Sequence, residues 1–290
     1  MKSKSKKIIV SFMVFVILLG NFNLESKAEV IGKRTWKGFV YTGFPETPEE
    51  EKEDCCLTIL NYTGNKKELT IPTEIKGMKV VNVSSLSKAK NLKTLHIPNG
   101  VEVRYAIGDA PKLKKITVRK DNPEYSVKNN MLLNKKGTVL LGCPGGYTTL
   151  KVPNSVKRID CECCYKMKIK KIEYGKNLKK IGDTAFYKCN HLKEVTIDKN
   201  VQSIGRRTFA ECANLKKVVL KKNVKKIGEG AFYNCNNLKE IYIYNKNCKI
   251  YITSYYASRV IPDGTTIYGK KGSTAEQYAK KYKLKFVEIK

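Results

Sequence analysis

The sequence predicts a mainly β solenoid whose coils combine short strands with turns or 3-10 segments, closed by a small C-terminal helix-strand cap. Three observations predict it. An apolar text recurs without gaps at a period of 23 residues in segments beginning at Leu178, Val201 and Val224. Each period holds short apolar stretches that alternate in the manner of half-buried strands. Residues 261–290 then leave the period and carry a helix signature instead. A single compact core is near its size limit in 290 residues, whereas an architecture that grows by stacking has no such limit.

In chain order, the first element is a leader. Lys2, Lys4, Lys6 and Lys7 precede an apolar run from Ile8 to Leu19, followed by Ser26-Lys27-Ala28. The run is short for a membrane span, and small residues at 26 and 28 mark a cleavage site, so residues 1–28 read as a signal peptide cut before Glu29. Residues 29–56 read as a lead, with an acidic loop from Glu46 to Asp54 that includes Pro48. The product is expected to be exported, with no transmembrane segment after cleavage.

Residues 57–260 read as the repeat region. Ile181/Ile204/Ile227, Gly182/Gly205/Gly228, Phe186/Phe209/Phe232, Cys189/Cys212/Cys235 and Leu192/Leu215/Leu238 fall in phase. A weaker copy starts at Val156 and is one residue shorter; two more lie at Leu92–Ile97 and Leu113–Val118. Within a unit, Leu192-x-x-Val195-x-Ile197-x-x-Asn200 matches the leucine-rich repeat form L-x-x-L-x-L-x-x-N. One coil cannot bury its own apolar edge, so neighbours must share a continuous core. In residues 261–290, Ser273 and Glu276 form a capping-box pair, and Ala275, Tyr278, Ala279 and Tyr282 line one helical face. Leu284-Lys285-Phe286 reads as a last strand.

The unit V-x-x-I-G-x-x-A-F-x-x-C-x-x-L-K-x-V-x-I resembles the repeat of the BspA-like family of bacterial leucine-rich repeat surface proteins. Residues 57–64, 69–80, 122–125 and 132–141 agree with that resemblance, as does the tail at 266–269 and 273–279. Departures occur at Cys161 to Cys164 and at Ala106 to Ala110, where the I-G-x-x-A-F text is replaced or shortened. The resemblance implies cell-surface association and adhesion to proteins of a host or neighbouring cell, extracellular-matrix proteins included.

Chemistry has little foothold in the sequence. Cys189, Cys212 and Cys235 occupy one repeat position beside buried Phe and Leu, which predicts an inward ladder of free thiols. Cys161-Glu162-Cys163-Cys164 lacks the paired ligand sets of a zinc site, and two of its thiols align with core positions, so no metal is assigned. His191 falls on a variable turn and His96 on a solvent-facing strand position. With no G-x-S-x-G, H-E-x-x-H or P-loop text, the reading is a noncatalytic protein without cofactors.

The charge balance is informative about partners. The chain has 57 Lys+Arg against 26 Asp+Glu, a formal +31, with 41% apolar residues. The leader accounts for only five of those Lys, so the excess belongs to the folded part. Six of eight positions inside successive V-x-x-I strands are basic: Lys157, Arg158, Lys179, Lys180, Lys225 and Lys226. This ladder is a candidate site for anionic polymers such as teichoic acid or sulfated glycan, set against the plainer reading of solvated Lys stems. The opposed L-x-x-V-x-I strands expose Thr196, Lys217, Glu240 and Tyr242, with Tyr244, Tyr251, Tyr255 and Tyr256 following, a candidate face for a protein or glycan ligand. Nucleic acid has the charge for nonspecific contact but no recognition motif.

Overall fold

The computed structural model describes residues 33–43, 56–252 and 260–290. The leader over 1–28, the acidic stretch at 46–54, and Tyr255 and Tyr256 lie outside them. Among the described residues no helix is long and apolar enough to cross a membrane.

The 23-residue text folds as a coil with three sides. On the first, Arg158–Ile159, Lys180–Ile181, Ser203–Ile204, Lys226–Ile227 and Lys249–Ile250 form a parallel ladder, with each Ile opposite the next. On the second, Glu194–Ile197, Lys217–Leu220, Glu240–Ile243 and Thr266–Gly269 pair in parallel, with Val195, Val218, Ile241 and Ile267 pointing inward. The third side is made of tight turns stitched to the next coil at every second residue. The Thr184, Phe186 and Lys188 N–H groups donate to the Arg206, Thr208 and Ala210 carbonyls at 2.8, 2.8 and 3.0 Å. Between the sides, the Phe186, Phe209 and Phe232 rings stack nearly parallel at 5.2 and 5.8 Å.

Two backbone constraints define the turn side. Left-handed residues recur at paired positions in successive coils: Glu162 and Lys166, Thr184 and Lys188, Arg207 and Glu211, Gly230 and Asn234, with φ between 48 and 57°. Side chains other than Gly and Asn are strained there, and a β-branched residue such as Thr184 most of all. The second constraint is close approach at the Ile-Gly corner. A Cβ on Gly205 would lie 2.7 Å from the Gly182 carbonyl carbon, and one on Gly228 would lie 2.4 Å from that of Gly205. No side chain fits between coils at this corner.

The upstream half departs from a uniform stack. Residues expected to be a lead form a hairpin, Arg34–Trp36 with Phe39–Gly43, turned by Lys37 and Gly38, both at positive φ as a two-residue hairpin requires. The hairpin pairs with Cys56–Tyr62, which lies parallel to Met78–Val83. The 122–142 insert is a meander of Tyr125–Lys128, Met131–Asn134 and Val139–Gly142, and its last strand joins the ladder beside Arg158–Ile159. Met131 and Leu133 pack into one apolar cluster and Leu132 into another, so this strand is a wall between two cores, and the continuous core expected from stacking is divided there.

The C-terminal cap follows the sequence with two shifts. Ser273 accepts from the Glu276 N–H at 3.2 Å, but the Glu276 carboxylate accepts from Gly272 and not from Ser273 itself. The final strand is Phe286–Glu288, two residues later than expected, because Leu284 is still tied to Ala279 at the helix end.

Gly205→Ala is expected to cost on the order of 3 kcal/mol or more of unfolding free energy, since backbone must move to admit the methyl group. Thr184→Asn is expected to raise stability by up to about 1 kcal/mol, because Asn tolerates the left-handed region. Urea unfolding of the two variants beside the parent chain checks both, and a neutral Gly205→Ala would contradict the packing described.

Candidate functional site

Period-2 alternation on the second side puts one set of side chains in solvent, and register then decides which of them meet. Thr196, Val219, Tyr242 and Tyr268 form one rung line; Glu194, Lys217, Glu240 and Thr266 form the next. The Tyr242 and Tyr268 rings stack at 4.2 Å and 7°. Lys217 Nζ lies 3.3 Å from Glu240 Oε2 and 4.9 Å from the centre of the Tyr242 ring. The hydrogen bond to Glu240 raises the Lys217 ammonium above its ordinary range. Desolvation, followed by the charge of Glu240, raises the Tyr242 phenol. The group is a braced, charge-balanced platform. Tyr244 stands past the strand, 37% exposed, with Lys221 Nζ 5.9 Å from its ring. Thr196 sits two coils away from Tyr242, so the candidate residues share one face without forming one cluster.

The basic ladder of the first side is assembled as the text implies. Main-chain bonds run from Lys179 to Lys157, Gln202 to Lys179 and Lys225 to Gln202 at 2.8, 2.8 and 2.7 Å. Arg158, Lys180, Ser203 and Lys226 form the adjacent column, which the register extends to Lys249. Arg158 is compensated, its guanidinium 3.0 Å from Asp160. For Lys179, Lys180, Lys225 and Lys226 no ion pair occurs among the described residues. Gln202 and Ser203 interrupt both columns at the middle coil.

The cysteine position proves to be a hydrogen-bonding one. The Cys189, Cys212 and Cys235 thiols are buried and donate to the Cys164, Phe186 and Phe209 carbonyls at 3.1, 3.2 and 3.0 Å. Burial pushes Cys189 and Cys248 up to about 12; Cys212 is raised by its contact with Cys235 and then by burial. Cys163 and Cys164 occupy core positions, whereas Cys161 is exposed and is raised chiefly by partial desolvation. Among the described residues no group of His, Cys, Asp and Glu is arranged to hold a metal ion.

Sequence reasoning missed three features. His96 is not simply solvent-facing: its Nδ1 lies 2.5 Å from Thr117 Oγ1 and its Nε2 2.6 Å from Glu68 Oε1, a relay across three coils. Tyr268 was overlooked because it follows Tyr242 by more than one period. A second basic column occupies the position just before the second-side strand: Lys67, Lys93, Lys114, Lys170, Lys193, Lys216 and Lys239, all exposed, five of them directly after the repeat Leu. Its signal is in the repeat text, where Leu-Lys recurs alongside the apolar pattern.

Residues 143–261 match the model of the BspA type leucine rich repeat region, in six copies. A leucine-rich repeat protein from Eubacterium ventriosum is 27% identical, with a TM-score of 0.50 over 62% of this chain and 49% of that one. The chain thus spans about half the length of that relative. The pneumococcal vaccine antigen PcpA is 15% identical, with a TM-score of 0.54 over 90% of this chain and 99% of that one, a likeness of fold. No curated protein matches the chain.

Alkylation of the native protein with iodoacetamide is expected to label Cys161 and to spare Cys163, Cys164, Cys189, Cys212 and Cys235 until denaturant is added, because the reagent reaches the exposed thiol and not the buried ones. Peptide mass spectrometry reads the pattern. Labelling of Cys189 or Cys212 in the native state would contradict the closed core.

Proposed function

We propose that this chain, whose residues 143–261 are BspA-type leucine-rich repeats, is an exported, noncatalytic recognition protein of the cell surface that binds a protein ligand through its strand face. The observation that carries the reading is the Tyr242–Tyr268 pair braced by Lys217 and Glu240. Tyr offers large contact area and a polar tip at low entropic cost, and rigid aromatic groups are where binding energy concentrates in protein interfaces. The face is built on paired strands of a solenoid, so its side chains are held before the ligand arrives and little ordering cost remains. Export follows from the leader text at 1–28. Adhesion to host or neighbouring-cell proteins, extracellular-matrix proteins among them, is the finer form of the same reading.

A second reading rests on Lys179, Lys180, Lys225 and Lys226, which have no ion-pair partner among the described residues. Lys179 and Lys180 stack on Lys157 and Arg158, and Lys226 on Lys249; like charges on these neighbouring coils repel, and an anionic wall polymer such as teichoic acid would relieve that repulsion and retain the protein at the surface.

The two readings part under salt. The protein is expected to bind one member of a panel of purified extracellular-matrix proteins saturably, with binding that survives about 0.3 M salt, where the Debye length is about 6 Å. Tyr242→Ala with Tyr268→Ala is expected to weaken that binding at least about tenfold. The variant with Gln at 179, 180, 225 and 226 should leave it nearly intact. Failure of every panel member to saturate, with cell retention abolished by the Gln variant, would replace the first reading with the second.

A further inference from the structure

The Leu-Lys edge is a basic surface separate from both the V-x-x-I ladder and the strand face, and its spacing is fixed by the main chain. Lys93 N–H donates to the Lys67 carbonyl at 2.7 Å and Lys114 to that of Lys93 at 3.0 Å. The same pattern returns with Lys216 to Lys193 at 2.7 Å and Lys239 to Lys216 at 2.9 Å. Within each of these two runs consecutive Lys stems therefore leave the edge about 4.8 Å apart, and between the runs Lys170 bonds to Thr148, the one coil without a Lys at this position. Carboxylates beside the edge already have partners: Glu68 lies within hydrogen-bond distance of His96, Glu173 pairs with Lys171 and Glu240 with Lys217.

A cavity opens on this edge. After Lys114 the next coil passes through Gly145, Gly146 and Thr148, and the two glycines are dictated by contact. A Cβ would lie 2.3 Å from the Gly108 oxygen at Gly145 and 2.6 Å from the Leu113 oxygen at Gly146. Beside the two glycines a shallow, half-open depression of about 270 Å³ is lined by Lys93, Pro111, Lys112, Lys114 and Gly146, while Tyr147 turns its hydroxyl to the Lys114 carbonyl at 3.3 Å. Lys112 is held at the rim, its Nζ 3.0 Å from Asn91 Oδ1. Three of the five lining residues are cations and none is acidic.

The lining also indicates what kind of anion fits. No Arg is present to clamp a phosphate or carboxylate with a planar fork, and no aromatic ring to stack a base. Lys supplies point charges that accept varied geometry, Pro111 an apolar wall, and the space exceeds a lone phosphate or sulfate group. Charges carried on a saturated ring meet these conditions. We propose that the Leu-Lys edge is a track for a linear anionic polysaccharide, with one charged sugar seated among Lys93, Lys112 and Lys114 and its neighbours lying against Lys67 and Lys170.

The test uses the full chain and a heparin dodecasaccharide as probe, followed by calorimetry. Lys93→Gln, Lys112→Gln and Lys114→Gln together are expected to weaken binding at least about tenfold. The matched triple Lys179→Gln, Lys180→Gln and Lys226→Gln removes the same charge from the first side and should change it less than about threefold. All six positions are exposed, and equal melting temperatures of the two triples establish that folding is intact. Lys112→Gln alone, which leaves the column whole, should weaken binding measurably. Equal losses in the two triples would reduce the effect to net charge and overturn the proposal. Equally tight binding of a polyglycerol phosphate or a short single-stranded DNA that the Lys93/Lys112/Lys114 triple weakens and the matched triple does not would also overturn it, as would an unaffected Lys93/Lys112/Lys114 variant. These outcomes leave the strand face untouched, since none of its residues is changed.

Discussion

Backbone meets backbone at the Ile-Gly corner, and the register set there is inherited by every other part of the repeat. Gly182, Gly205 and Gly228 let consecutive coils approach until no Cβ fits. At that separation the two-residue Ile strands can pair, the turn side can donate alternate N–H groups to the next coil, and the Phe rings reach stacking distance. The buried thiols complete the same logic. The Phe186 carbonyl takes the N–H of Cys189 within its own turn and the S–H of Cys212 from the next coil. A small side chain that is apolar in bulk yet still a weak donor suits a position where the core is dry and a carbonyl has spare capacity.

Stacking in register has a cost on the outside. Whatever a repeat position carries is multiplied along the molecule, so a Lys retained at one position becomes a line of cations about 4.8 Å apart. Where the neighbouring position alternates in sign the line is neutralised: Lys217 meets Glu240, and Arg206 meets Asp183 at 2.9 Å. Elsewhere the repulsion is left to solvent and salt. Long Lys stems lessen it by lying over apolar edge while the ammonium groups diverge into water. The same fold thus produces balanced and strongly basic surfaces according to whether the repeat text varies at a given position.

How much of this was legible depends on whether it repeats. The three in-phase copies carried the coil, its inward residues and the thiol ladder, because period and side-chain alternation together fix which face each residue takes. The N-terminal hairpin did not repeat, and Lys37-Gly38 is a weak signal outside an alternating context. The 122–142 insert was legible as a departure, but the run Met131-Leu132-Leu133 shows its meaning only once a strand buried on both sides is seen to separate two cores. The relay of Glu68, His96 and Thr117 joins residues separated by 28 and 21 positions, so it exists only through register. Tyr268 pairs with Tyr242 across an interval longer than the period, and counting alone loses it. The Leu-Lys column was plain in the text and was passed over because Lys after a buried Leu reads as ordinary solvation.

The position of that column bears on how the surfaces act together. Lys193, Lys216 and Lys239 stand immediately before Glu194, Lys217 and Glu240 in the chain, so the basic edge borders the strand face along its whole downstream length. A ligand that is itself anionic would be drawn first by the edge, a long-range and salt-sensitive step. It would then be held by the braced Tyr pair, whose contacts are short-range and little screened. For such a ligand, rate of arrival and length of stay would fall to different residues of neighbouring columns, a division that the repeat permits without any residue having to serve both ends.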